Sequence, residues 1–484
     1  MNAEADVTVV GSGPNGLAAA VTMARAGLSV LVLERADTIG GGARTAELTL
    51  PGFHHDVCSA VHPMAVASPF FRQFGLADRI ELVVPDVSYG HPLDDGSAGI
   101  AYRDLERTAD GLGQDGGAWT RLFAPLVDQI DGVVDFTTNQ LLRMPRSPLT
   151  AAAFALRAFE QGTPLWNRRF VQDSAPAMLT GVMAHSMARM PQLASAGAGL
   201  VLAAHAHARG WPIPIGGSQA IVDALAEDLR GHGGIIRTEV DVTSLGELDS
   251  RAVLLDVTPR ALVAMAGERL PAPYRRALER YRYGNGAAKV DFALSGPVPW
   301  TNTALAEAPT VHLGGSRAQI AEAEAQTSRG EHAANPYVLV SQPSIVDPGR
   351  APDGKQVLWA YSHVPSGSTR DPVEDVTRQI ERFAPGFRDV VLATASMSAS
   401  ELESYNPNYV GGDIGAGAIS IRQLLRRPVL STNPWRTPLA GVYLASAATP
   451  PGPAVHGLSG WHAARHALAE VFDLRAAPSL APGS

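Results

Sequence analysis

One stretch constrains this chain more than any other: Val7-Thr-Val-Val10 followed by Gly11-Ser-Gly13-Pro14-Asn15-Gly16. The β-branched run has the character of a strand buried on both faces, and an alanine-rich segment, Leu17–Ala26, follows with Gly27 as its stop. A second apolar strand, Ser29–Leu33, ends in Glu34, twenty-three positions after Gly11. Each part has a physical reason. Gly11 permits the tight turn, Gly13 lets backbone N–H groups approach a pyrophosphate, and Gly16 lets helix and strand pack closely. Pro14 and Asn15 open the helix, whose free N-terminal donors suit phosphate. Glu34, with Arg35 beside it, accepts from a ribose diol, and an acid there favours a free 2′-hydroxyl over a 2′-phosphate. Strand, turn, helix, strand and acid in this order predict a dinucleotide-binding βαβ unit.

The segments that follow suggest which dinucleotide. Glu34-Arg-Ala-Asp-Thr-Ile-Gly40-Gly41-Gly42-Ala43-Arg44 resembles the glycine–arginine stretch of the FAD family that contains amine oxidases and phytoene desaturases. Pro51-Gly-Phe-His-His55-Asp56 resembles that family's segment running under the flavin. Pro214-Ile-Gly216-Gly217-Ser218, a helix with inner face Ile221, Leu225 and Leu229, and the strand Ile235–Val240 resemble the part near the adenine. Gly452-Pro-Ala-Val-His456-Gly457-Leu-Ser-Gly460 resembles the C-terminal flavin loop, and it leads into a helix expected from about Gly460. The chain is thus similar to the phytoene-desaturase-type FAD oxidoreductases of the amine oxidase/glutathione reductase-like superfamily, in particular their pyridine nucleotide-disulfide oxidoreductase domain 2 branch.

The resemblance implies an α/β fold: a discontinuous Rossmann-like FAD-binding domain (1–85, 209–272 and 428–484) and a mixed-sheet and helical substrate domain (86–208 and 273–427). It implies non-covalent FAD held by Gly11, Gly13, Pro14, Asn15, Gly16, Glu34, Arg35, Gly41, Gly42, Ala43, Arg44, Val240, Gly452, His456 and Gly457. Residues 86–208 read as helical and irregular, with apolar helical faces in Trp119–Val134 and Ala194–Ala208. Ser218 is placed to cap the helix behind it. Val290, Phe292 and Leu294 alternate as in a half-buried strand, 318–334 reads as a solvated helix, and Tyr337–Gln342 and Val357–Val364 read as strands joined by a hairpin-like acidic turn.

Composition narrows the chemistry. Net charge is −8, with no basic surface for nucleic acid. The single cysteine, Cys58, excludes a disulfide framework and any Cys-x-x-Cys pair, and reads as a small buried hydrophobe. With no cysteine near the C-terminus, the family's covalent flavin link there is not expected. Met1–Asp6 has no leader character and no run is long enough to span a membrane, which suggests a cytoplasmic protein. Leu141–Phe159, with Arg143, Arg146 and Arg157 among apolar residues, is open to two readings, an amphipathic core helix or a segment lying on a membrane surface.

Two lysines stand against 37 arginines. Lys289 falls on a strand that resembles the one whose lysine holds a water at flavin N5 in amine oxidases; the alternative is an amine snorkelling to solvent. His55 is a candidate pocket base or a structural imidazole paired to Asp56, and His363 and His456 are candidates for lining the flavin pocket. His54, His55 and His62 lack the spacing of a metal site. Tyr409, Trp435 and Tyr443 are the aromatics expected near the flavin.

The expected function is hydride removal from an apolar or heterocyclic small molecule to flavin N5, giving a C=C or C=N bond, with oxygen or a quinone as electron acceptor. A flavin amine oxidase, and a non-redox isomerase or FAD-bound interaction protein, are the alternatives. Substrate and oligomeric state stay open.

Overall fold

A strand buried on both faces needs neighbours on both edges and helices above and below, and Val7–Val10 has them. It is the middle strand of a five-stranded parallel sheet in the order Val442–Leu444, Ala252–Leu255, Val7–Val10, Val30–Leu33, Ile235–Arg237. Three stretches distant in sequence therefore build one Rossmann-like sheet. The structure is a computed structural model describing residues 5–483, so the expectation drawn from Met1–Asp6 falls mostly outside the described residues. Helices Pro14–Arg25, Gln219–Gly231 and Leu458–Val471 share an apolar core with this sheet. The last helix presses on the first with no space to spare. A Cβ on Gly460 would lie 1.8 Å from the Asn15 carbonyl oxygen, and one on Gly16 would lie 2.1 Å from that of Gly11.

The second region is built on a seven-stranded mixed sheet in the order Val391–Met397, Gly286–Leu294, Gln356–Val364, Val338–Ser341, Thr310–Leu313, Val87–Pro92, Ala98–Tyr102. Its two faces follow the period of two. Val338, Val340, Leu358 and Ala360 enter one core, while Leu339, Trp359 and Tyr361 enter another that the helices complete. Those helices include Gly116–Asp128, Ile130–Thr137, Pro148–Gln161, Ser174–Met183 and Leu193–Ala208.

Several local expectations need correction. Residues 86–208 are not helical from the start: Val87–Pro92 and Ala98–Tyr102 form a hairpin around an Asp-Asp-Gly turn, the local signal that reading passed over. Gly286–Leu294 is buried along its whole length, because Lys289 and Asp291 on its second face are covered too. The helix expected at 318–334 runs Arg317–Ser328 and buries Ile320, Ala323 and Glu324, so it is not simply solvated. The strand after Gly234 ends at Arg237 rather than Val240, where Glu239 takes φ +59°. Ser218 makes no cap; its hydroxyl donates to the Ser59 carbonyl, and Asp56 Oδ1 accepts from the Ser218 N–H at 2.8 Å instead. The C-terminal helix begins at Leu458, two residues earlier than expected.

The contact at Gly460 generates a test. Gly460→Ala forces a methyl into the Asn15 backbone, and overpacking of this kind costs about 1–3 kcal/mol. Urea unfolding should show a lowered midpoint with an unchanged slope.

Candidate active site

A cavity of about 1010 Å³ is lined by both sheets and by the helices between them. That is the upper end of the roughly 300–1,000 Å³ of ordinary ligand pockets. One end is the glycine turn. Gly11, Ser12, Gly13, Pro14 and Asn15 line it, with Glu34, Arg35, Gly41, Gly42, Ala43, Arg44, Val240 and Val242. The Glu34 carboxylate accepts from the Ser12 N–H at 2.9 Å, the Ser12 hydroxyl at 2.6 Å and the Ala36 N–H at 2.9 Å, which fixes it at the strand end. A carboxylate offers about four acceptor sites, so one is left for a ribose hydroxyl. Arg44 is braced by the carbonyls of Ile39 and Thr38 and the Tyr405 hydroxyl. Gly42 admits no side chain, since a Cβ would meet the Tyr409 hydroxyl at 2.0 Å. The Val240 N–H donates to the Glu34 carbonyl and so brings its segment to the cavity. Turn, acid and open helix N-terminus fit a dinucleotide with a free ribose diol.

Asp256 is the residue at this end that sequence reasoning missed. It follows Ala252–Leu255, lines the cavity, and accepts the Gly16 N–H at 2.9 Å through Oδ2. Burial, against that hydrogen bond, pushes its carboxyl up to about 7. The signal was available, as the one acid closing the expected strand Ala252–Val257.

At the C-terminal loop, Pro450, Pro451, Pro453, Ala454, Val455 and His456 line the cavity, while Gly452, Gly457 and Gly16 do not. Ala454 holds φ +145°, a region that favours glycine. His456 Nδ1 accepts the Leu458 N–H at 3.0 Å, so its Nε2–H donates to the Gly452 carbonyl at 3.1 Å. Burial lowers this imidazole to about 4.

Lys289, His55 and His363 stand outside the cavity lining. The Lys289 Nζ lies 2.8 Å from Asp291 Oδ2 and donates to the Asp56 carbonyl at 3.3 Å. This amine does not snorkel; it is 2% exposed. Burial, opposed by Lys289, pushes Asp291 up to about 6. His55 faces Asp291 at 3.7 Å and shares 2.8 Å with the Thr49 hydroxyl; burial first, then the Lys289 charge, lowers it to about 3. Asp56 is not its partner, because Arg350 takes Asp56 Oδ2 at 3.0 Å. His363 is buried against Glu324, with Nδ1 to Oε1 at 2.5 Å.

Of the expected aromatics, Tyr409 lines the cavity. Trp435 and Tyr443 sit in the core of the parallel-sheet region, the latter bonded to Glu470. Trp359 and Tyr361 line the cavity in their place, 5.2 Å apart and tilted by 61°. Their alternation along Gln356–Val364 was the legible signal. Cys58 also lines it, its thiol pushed up by burial.

The far end of the cavity is apolar: Met64, Phe136, Leu141, Phe154, Leu193 and Val201 are part of its wall. Among the described residues, no charged side chain lines the cavity between Cys58 and Trp211. Its rim is apolar too. Phe159 and Leu193 belong to the lining yet are exposed, and Leu142, Met144, Leu149 and Leu156 stand near them in the chain, Leu149 at 85% exposure. The Leu141–Phe159 segment is a helix only from Pro148, and it buries Phe154 while leaving these side chains outside.

Comparison with known proteins follows this geometry. Residues 9–74 match the family of NAD(P)-binding Rossmann-like domains. The pyridine nucleotide-disulfide oxidoreductase domain-containing protein 2 of Rattus norvegicus is 26% identical, with 97% of this chain and 94% of the relative covered. The phytoene dehydrogenase of Streptomyces griseus is also 26% identical, over 80% of this chain and 77% of its own. Over most of its length the chain is thus similar to a protein named for an oxidoreductase domain and to one named as a dehydrogenase. Among solved structures, a putrescine oxidase variant superposes with TM-score 0.63 at 14% identity, covering 97% of this chain and 99% of that one. Cyclohexylamine oxidase from Brevibacterium oxydans gives 0.60 at 16%, covering 98% and 100%. At these identities the likeness is one of fold. Among the described residues, no helix of this chain is long and apolar enough to cross a membrane.

Two tests follow. Because the Asp256 pKa is raised to about 7, the folded chain keeps a proton that the unfolded chain has lost, and stability falls as pH rises from about 4 to about 7. The slope is about 1.4 kcal/mol per pH unit and levels off above that range. Asp256→Asn should remove this fall in urea unfolding of the cofactor-free protein measured across the window. Separately, Lys289→Met leaves Asp291 buried without its cation and should cost about 3–5 kcal/mol. The double variant Lys289→Met/Asp291→Leu should recover much of that loss in the same measurement.

Proposed function

We propose that the chain binds FAD non-covalently along the Gly11–Asn15 end of the cavity, through the residues assigned above. With FAD bound, the flavin is the acceptor for a hydride taken from an uncharged, largely apolar small molecule, which gains a C=C or C=N bond. Oxygen or a quinone is the proposed final electron acceptor. Residues 1–85, 209–272 and 428–484 are the proposed cofactor region, and 86–208 with 273–427 the substrate region.

The observation that carries this reading is the division of charge along the cavity. Its carboxylates, Glu34, Asp241, Asp256 and Asp413, lie on the parallel-sheet strand ends and the Asp413 loop. The wall from Cys58 to Trp211 has none. An ammonium substrate entering there would lose its hydration without gaining a counter-ion, a cost of several kcal/mol. An uncharged apolar one gains about 25 cal/mol per Å² buried. The amine oxidase reading draws on the Trp359–Tyr361 pair, whose ring faces suit a cation.

The chain's own residues supply position and dryness. Trp359, Tyr361 and Tyr409 form apolar walls, and the Pro450–His456 loop closes one side. Lys289 acts one layer behind: by holding the Asp56 carbonyl it positions the segment that continues into Cys58. The exposed apolar side chains between Leu142 and Phe159, with Arg143 and Arg146 among them in sequence, support entry from a membrane surface, and the proposed setting is cytoplasmic and peripheral to that membrane.

Anaerobic spectrophotometry tests the reading. Uncharged hydrocarbons and alcohols, paired with amines of the same carbon skeleton, are added to the FAD-loaded protein. The uncharged members should bleach the visible flavin band. Bleaching by the amines alone would establish an amine oxidase instead.

A further inference from the structure

Three histidines line the cavity, and two are spoken for. His456 has both ring nitrogens bonded to its own loop. His62 shares 2.7 Å with the Ser218 hydroxyl through Nε2, and its Nδ1 is sealed inside the protein. His185 differs. It follows helix Ser174–Met183, on the wall of the apolar end. Its Nε2 lies 2.9 Å from Nε2 of His312, and its Nδ1 has no hydrogen-bond partner among the described residues. Unlike His62 Nδ1, it is not among the sealed atoms.

We propose that His185, backed by His312, is a polar subsite for one uncharged hydrogen-bonding group, a hydroxyl, carbonyl or ether oxygen, on an otherwise apolar substrate. The proposal rests on the reading of the cavity as an apolar substrate site. The ring pair works as one unit. In a bond between two imidazole nitrogens, one must donate and the other accept, so the tautomer of His312 sets that of His185. When His185 Nε2 accepts, its Nδ1 carries the proton and donates; when Nε2 donates, Nδ1 is bare and accepts. Either polarity of oxygen can be met.

The surroundings hold the pair in place and keep it uncharged. His312 is fully buried, packed edge-on against His185 at 5.0 Å and near Trp211, Tyr89 and Tyr337. Trp211 also meets the His185 ring edge-on at 5.7 Å. Among the described residues no carboxylate bonds to either ring: Glu324 is taken by His363, and His91 turns its Nε2 to the Gly315 carbonyl. Burial keeps both imidazoles well below their usual range, which supports the neutral form. A neutral donor–acceptor in an uncharged wall selects by hydrogen bonding rather than charge: matched oxygen is favoured, and an ammonium finds no anion.

The test uses FAD-loaded protein and three probes of equal length: octan-1-ol, octan-2-one and octylammonium chloride. Binding is read as the perturbation of the visible flavin spectrum. The alcohol and the ketone should bind more tightly than the ammonium. His185→Phe should weaken both by about tenfold, the share of one neutral hydrogen bond. His185→Asn, which keeps an uncharged donor and acceptor, should retain most of the affinity, and His312→Phe should lose a smaller part. Octan-1-ol bound equally well by wild type and His185→Phe would overturn the subsite while leaving the cavity reading intact. Absence of any perturbation with all three probes would overturn the cavity reading, and the subsite with it.

Discussion

The buried carboxylate of Asp56 bonds to both halves of this molecule. Asp56 accepts from the Ser218 N–H and the Thr45 hydroxyl on the parallel-sheet side, and from the Arg350 guanidinium on the mixed-sheet side. Arg350 reaches on to Asp347, which accepts the Gly216 N–H, and Lys289 binds the Asp56 carbonyl. All these charges are removed from water, so each depends on the others; losing one member of such a pair costs about 3–5 kcal/mol. The network fixes the start of Gln219–Gly231 relative to Gly286–Leu294. The cavity lies between the two regions that this connection joins.

Charge is segregated as a consequence. Ionisable groups near the junction are consumed by one another: Lys289 by Asp291, Arg350 by Asp56 and Asp347, His363 by Glu324. What faces the cavity is polar at the glycine turn and apolar at the helices. The site can therefore orient a dinucleotide by hydrogen bonds at one end and exclude water at the other. The polar side chains on that wall, Thr137, Asn139, His185 and Ser186 among them, include no carboxylate, lysine or arginine among the described residues.

The parallel sheet was legible because its signals are local. A β-branched run, three glycines at fixed offsets and an acid at the strand end each follow from neighbours in sequence. Most of the fingerprint residues line the cavity for the same reason. The other half was harder. The place of the Val87–Tyr102 hairpin in the sheet depends on Thr310–Leu313, over two hundred residues away, and Trp359 and Tyr361 gain meaning only when the sheet's faces are known. Lys289 shows the limit well. Its rarity and strand were readable, but its direction depends on Asp291, two residues on and on the same face, and on a carbonyl from another element. Side-chain partners drawn from distant segments leave no periodic trace.

The central claim is that the glycine-turn end of the cavity holds one non-covalent FAD. Its most direct measurement is the absorption spectrum of the purified protein, followed by mass spectrometry of the chromophore that heat releases. The account predicts a yellow protein yielding intact FAD in a one-to-one ratio to chain, with no mass added to the polypeptide. A colourless protein that gains no flavin spectrum on incubation with FAD, or flavin that stays attached to the denatured chain, would contradict it.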